Sequence, residues 1–162
     1  IDGNRIRYAY CSFDKGDSDQ MRIYDMNTVA KAYREDPFFV QMMKQKTKRT
    51  DYGTLPANTV MVNVFAYDTD WKVEILEDGK PIPYEREVDE DPLQTLAMDY
   101  AKYLSDGMFV ETAAGTKTYH LFRAQAITPD RPITVRVTDS FGRKYEQTSQ
   151  RPIPYELNSL SK

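Results

Sequence analysis

The sequence predicts a mostly β fold: an antiparallel β-sandwich, immunoglobulin-like, of about seven strands with one or two helical insertions. Three observations carry this prediction. Short apolar/polar alternations recur along the chain, bounded by Asp, Gly and Pro turn signals. Twelve tyrosines and seven phenylalanines stand beside only seven glycines, a balance that suits the pleated, half-buried surface of strands. Two Asp-Pro dipeptides open the stretches that carry helical signals.

Arg5 to Phe13 and Met21 to Tyr24 read as an N-terminal pair of strands. Asp36-Pro37 sets an N-cap and a first-turn proline before Phe38, Phe39, Val40, Met42 and Met43, the first helical insertion. Val60 to Tyr67 is the clearest strand, with Val60, Val62, Val64 and Ala66 on one face and Met61, Asn63, Phe65 and Tyr67 on the other. Apolar residues on both faces predict an interior strand. Asp68, Thr69 and Asp70 interrupt the pattern as a turn, after which Trp71, Val73 and Ile75 point inward against outward Lys72 and Glu74. In that phase Trp71 belongs to the core, where truncation to alanine costs about 3–5 kcal/mol.

Asp78-Gly79 supplies the positive φ of a tight hairpin, and Pro81 to Tyr84 returns as an edge segment where proline is tolerated. Asp91-Pro92 starts a second helix, with Leu93, Leu96, Ala97, Tyr100 and Leu104 at helical spacing until Gly107. His120 to Ala126 forms a further strand. Ile133, Val135 and Val137 then face inward, Thr134, Arg136 and Thr138 outward, and Asp139-Ser140-Phe141-Gly142 turns the chain back through Lys144 to Thr148. The length, 162 residues without repeats or low-complexity linkers, fits a single domain spanning residues 1–162. Its opening at Ile1-Asp2-Gly3, without an initiator methionine, reads as a piece of a longer protein.

A net charge of −3 offers no overall positive field for a phosphate backbone, so nucleic acid is not an expected partner. The basic run Lys44, Lys46, Lys48 and Arg49 has no interleaved aromatics and reads as a solvated helix end or loop. No apolar stretch approaches the ~20 residues of a membrane span. Cys11 stands alone, so no internal disulfide is available, and it reads as a buried thiol rather than a nucleophile.

The chemical inventory is short. One histidine, His120, is too few for a hydrolytic metal site, and with no Gly-x-Ser-x-Gly elbow it reads as a structural strand residue. Asp14-Lys15-Gly16-Asp17-Ser18-Asp19 lacks the ligand spacing of a calcium loop and reads as a turn. Asp68 and Asp70 have no third ligand nearby, and no phosphate-cradling glycine loop is present. Trp71, if exposed, would offer a sugar-stacking platform, which keeps an independent glycan- or protein-binding module as the rival reading.

The segments "DGNRIRYAY", "QMRIYD", "NTVMVNVFAYDTDWKVEILEDGKPI", "YHLFRA" and "ITVRVTDSFGRKYEQ" resemble, in order, the C-terminal domain that follows the catalytic domain in a group of bacterial calcineurin-like phosphoesterases. The likeness runs from Asp2 to about Arg151. It implies a polypeptide with an immunoglobulin-like N-terminal domain, a central metallophosphoesterase domain and this β-rich tail, exported or periplasmic. It also implies that two divalent metals sit in the parent's catalytic domain. That domain holds them with Asp-x-His, Gly-Asp, Gly-Asn-His-Asp/Glu and Gly-His-x-His boxes, of which only an isolated Gly16-Asp17 is found here. No catalytic, cofactor or metal residue is therefore expected in this chain. The expected partner is the catalytic domain of the same chain, with Phe65, Tyr67 and Tyr119 as candidates for the contact surface. Burial in the second sheet or under the helices is the alternative for each.

Overall fold

The protein is seen in a computed structural model that describes residues 20–45, 50–96 and 117–155. The expected strand from Arg5 to Phe13, Cys11, the Asp14 to Asp19 cluster, Lys46, Lys48, Arg49 and the second helix beyond residue 96 lie outside these.

The described chain forms two four-stranded antiparallel sheets, as the alternation predicts. In chain order the strands are β1 (Met21–Asp25), β2 (Thr59–Val64), β3 (Lys72–Glu77), β4 (Lys80–Pro81), β5 (Tyr84–Glu90), β6 (Lys117–Gln125), β7 (Ile133–Thr138) and β8 (Lys144–Ser149). The first sheet runs β1-β2-β6-β5 and the second β4-β3-β7-β8. Between them lie Val60, Val62, Val64, Phe122 and Ala124 from one sheet and Val73, Ile75, Ile133, Val135 and Val137 from the other. Asp78 (φ 49°) and Gly79 (φ 76°) make the predicted positive-φ hairpin between β3 and β4.

β2 is an interior strand, and its two apolar faces serve different cores. Its valines enter the sandwich, whereas Met61, with Leu121 of β6 and Tyr24 of β1, enters a second core beneath a helical layer. The helices therefore cover the outer face of the first sheet. They comprise α1 (Met26–Glu35), α2 (Pro37–Gln45) and a helical stretch at residues 92–96. Helix α1 was not expected, although Asp25 caps it through the Asn27 N–H at 3.1 Å and Met26, Val29, Ala30 and Tyr33 repeat on one buried face. Asp36 separates it from α2 and caps the latter through the Phe38 N–H at 2.8 Å, as the Asp-Pro signal predicts. Tyr33 stacks on Phe39 at 4.7 Å and meets Tyr52 edge-on at 5.3 Å, which joins both helices to the following loop.

Strand β5 was also not expected. The chain leaves the second sheet after Pro81 and pairs with β6 of the first, with exposed Tyr84, Glu85 and Arg86 opposite Ala124, Arg123 and Phe122. Its charged sequence is that of a solvent-facing edge strand, which lacks the apolar alternation that marks the others.

Residues 151–155 fasten the layers together. Arg151, 6% exposed, donates from Nε to the Arg131 carbonyl at 2.9 Å and from a terminal nitrogen to the Thr128 carbonyl and, at 3.4 Å, to Glu77. Thr28 of α1 donates to the Ile153 carbonyl at 2.5 Å, and the Tyr155 hydroxyl donates to the Pro92 carbonyl at 2.9 Å. Glu77 is 3% exposed and also accepts from the Ile127 and Thr128 N–H groups at 2.7 and 2.8 Å. Burial pushes its carboxyl up, but these N–H donors, the Thr128 hydroxyl and the Arg151 charge outweigh burial and hold it below its ordinary value.

Replacing Arg151 with Met leaves a buried carboxylate without its counter-charge and should destabilise the fold by about 3–5 kcal/mol in urea unfolding. Because the Glu77 value is depressed on folding, its stabilisation is present above pH 4.5, its ordinary value, and is lost as pH falls through its folded value. Asp139 acts in the same direction, whereas Asp25, whose carboxyl burial pushes up, acts in the opposite one. Glu77→Gln should therefore flatten the acid limb of a stability–pH curve below pH 4.5; an unchanged limb would contradict the assignment.

Candidate functional site

Residues 65–71 join β2 of the first sheet to β3 of the second, which fixes one end of the sandwich. By register β1 and β6 begin at this end, Met21 lying opposite Val64 and Leu121 opposite Asn63. β7 finishes there, Thr138 lying opposite Lys72, so the 139–143 turn projects from the same end. Phe65, Trp71, Tyr119 and Phe141 are thus gathered at one pole, although they come from three separate parts of the sequence.

Phe65 and Tyr119 line one groove of about 450 Å³, with Arg22, Asn63, Asp91 and Lys117 among its other walls. Tyr119 is 63% exposed. Tyr67, the third expected surface residue, is turned elsewhere. Ala66 has a positive φ of 54°, which breaks the alternation and points Tyr67 toward the sandwich core. There it meets Phe122 edge-on at 5.0 Å and carries the Arg86 guanidinium at 5.9 Å from its ring.

The groove floor is a polar network centred on Asp91. The Tyr24 hydroxyl donates to both Asp91 oxygens at 2.9 Å, Asn63 Nδ2 donates to Oδ2 at 2.7 Å, and the Leu93 and Gln94 N–H groups donate to Oδ1 at 2.9 Å. Asp91 is thus the helix cap that the sequence predicts, and also the point where the helix meets the sheet. A carboxylate only accepts, so the Asn63 amide nitrogen must face Asp91, and its Oδ1 is left buried without a partner among the described residues. Burial, then the Asp91 charge, pushes the Tyr24 hydroxyl well above its ordinary value, so it stays a donor at neutral pH. His120 also borders the groove, and burial pulls its imidazole below 6.5, which keeps it neutral at pH 7.

Two further features complete the pole. Phe141 is 74% exposed at the tip of the β7–β8 hairpin. Its turn is fastened by Asp139, which accepts from the Phe141 and Arg143 N–H groups at 2.9 Å and from Arg143 Nε at 2.6 Å. The Arg143 guanidinium lies 5.1 Å from the Phe141 ring centre. The sequence marks this stretch as a turn, and the large apolar residue at its tip is the signal that a surface reading would use. Trp71 is half-buried at the margin of the core, 6.3 Å from Tyr67 and edge-on to it, rather than inside it. The Asp68 turn, closed by the Trp71 N–H at 3.0 Å, ends just before β3 begins at Lys72 and leaves the indole at the rim.

Among the described residues no group of three or more His, Cys, Asp or Glu side chains is placed to hold a metal ion, and no helix is long and apolar enough to cross a membrane. Fold and site define a two-sheet β domain with a helical layer on one face and an aromatic, polar-floored pole. Residues 1–145 match the family model described as the C terminal of calcineurin-like phosphoesterase, and the chain belongs to that family. No curated protein and no solved structure matches it.

Because Trp71 sits at the rim, its replacement by alanine should cost about 1–3 kcal/mol in chemical denaturation, below the range for a fully buried indole. A loss above 3 kcal/mol would place it in the core, and no loss would free it for ligand stacking.

Proposed function

We propose that this chain, as one domain over residues 1–162, is the noncatalytic C-terminal accessory domain of a calcineurin-like metallophosphoesterase. It packs on the catalytic domain of the same polypeptide through the 65–71 pole. The observation that carries this reading is the placement of Phe65, Tyr119 and Phe141 at the same end of the sandwich, two of them 63% and 74% exposed. Exposed aromatics beside an arginine are the residue types on which protein interfaces depend most. The Asp91-centred floor and the Asp139 turn hold them in place beforehand, which lowers the entropy lost on contact.

The resemblance implies two divalent metals in the parent's catalytic domain, and the single histidine of this chain, short of the ligand set for such a centre, supports that reading. We read the parent protein as periplasmic or exported, a proposal that rests on the resemblance alone. A separate glycan-binding role would need a flat, open indole, and the edge packing of Trp71 against Tyr67 favours the accessory role.

The isolated chain should not hydrolyse aryl phosphate mono- or diesters in the presence of manganese, zinc or iron; chelator-sensitive turnover belonging to this chain would refute the reading. Deleting it from the full-length enzyme should lower the melting temperature or alter substrate preference while the metal content stays intact. Phe141→Ser should change the stability of the isolated chain by less than about 0.5 kcal/mol and yet reproduce part of the deletion effect in the full-length enzyme. An enzyme indifferent to the deletion would instead mark the chain as an independent binding module.

A further inference from the structure

We propose that the groove above Asp91 is a binding site for a phosphate monoester, with the phosphate held by Arg22 and Lys117 and the organic group lying along Phe65 and Tyr119. The phosphate-ester identity rests on the accessory reading above; the anion preference rests on the groove itself.

Arg22 is the first reason. It is half-buried in the groove, yet among the described residues it forms no ion pair and approaches only the Tyr24 hydroxyl. Every other described arginine is engaged. Arg34 donates to the Gly53 carbonyl, Arg86 covers the Tyr67 ring, and Arg123, Arg131, Arg136, Arg143 and Arg151 each pair with a carboxylate. A guanidinium drawn into a groove with one hydroxyl contact and no carboxylate partner among the described residues keeps donors of its planar fork for whatever enters, and that fork fits two oxygens of a phosphate.

Lys117 is the second. It lies at the start of β6 and forms no ion pair among the described residues, although the neighbouring pocket that it also borders contains Glu87 and Asp89. Asp91 is the carboxylate within the groove, and its charge is already met by the Tyr24 hydroxyl, the Asn63 amide and two helix N–H groups. Glu90, 7% exposed, accepts from the Thr95 hydroxyl at 3.2 Å. His120 adds a neutral imidazole, able to donate or accept one hydrogen bond.

The aromatic walls are the third. Phe65 and Tyr119 give the groove an apolar wall beside its cations, and about 450 Å³ falls within the range of small-ligand sites. A bare anion would leave that wall unused, whereas an ester with a ring or a chain would cover it.

Calorimetric titration of this chain at constant ionic strength with phenyl phosphate, inorganic phosphate and benzoate tests the proposal. Phenyl phosphate should bind saturably and more tightly than the other two, and Arg22→Gln and Lys117→Gln should each weaken it about tenfold. Tyr119→Ser should remove the preference for phenyl phosphate over inorganic phosphate. Lys117 is exposed, so its variant keeps the test decisive if Arg22→Gln fails to fold. Equal binding of inorganic and phenyl phosphate would overturn the ester assignment. No saturable binding, or binding unchanged in Lys117→Gln and in any folded Arg22→Gln, would overturn the site. Binding here combined with an enzyme indifferent to deletion of this domain would refute the accessory reading and leave the groove standing; the reverse pair of results would refute the groove alone.

Discussion

The middle strands of the first sheet are buried on both faces, and the rest of the structure depends on that. Val60, Val62 and Val64 fill the sandwich while Met61 between them fills the helical core, all at 1% exposure or less. β6 repeats the arrangement with Phe122 and Ala124 on one side and Leu121 on the other. A sheet with one wet face would need only the second sheet to cover it. This one needs a helical layer as well, and the chain supplies α1 directly from the end of β1, where Asp25 serves as both last strand residue and helix cap.

Three buried carboxylates mark the junctions between these layers. Asp25 joins α1 to the C-terminal segment, Glu77 joins β3 to the 127–128 loop and Arg151, and Asp91 joins the sheet to the helix at residues 92–96. Removing a charge from water is unfavourable unless its acceptor sites are filled, so each carboxylate restricts the backbones around it to the geometry that fills them. Their role is to fix where the layers meet. The pole inherits its shape from this, since the Asp91 network forms the floor of the groove.

Local chemistry was legible in the sequence, and layer assignment was not. The valine alternation of β2 and β7, the Asp78-Gly79 hairpin and the Asp36 and Asp91 caps each depend on residues within a few positions, and each was read correctly. β5 was missed because a charged edge strand is recognised by its partner rather than by its own pattern. α1 carried a readable cap and stripe, but its sequence follows a strand without any Gly or Pro to mark the change. Tyr67 leaves the face that the alternation gives it because one positive φ at Ala66 reverses the phase, and Trp71 lies shallower than its phase implies because the turn before it ends one residue later than the alternation predicts. Of the site, Phe65 and Tyr119 are among the surface candidates that the sequence offers, with burial as the alternative, whereas Phe141 and Arg22 join it only through the topology.

The pole is also where the reading of function stands or falls, because the crossing of residues 65–71 between the sheets sets Phe65, Tyr119 and Phe141 at the same end of the sandwich. An aromatic end held rigid from behind is suited to contact with a neighbouring domain, and the matching family is the C terminal of calcineurin-like phosphoesterase. The most direct measurement is amide hydrogen exchange of the full-length phosphoesterase compared with this chain alone. Added protection should concentrate at residues 65–71, 117–120 and 139–143, while the hairpin at Asp78-Gly79, at the far end of β3, exchanges identically in both. Protection confined to the Asp78-Gly79 end, or absent throughout, would contradict the account.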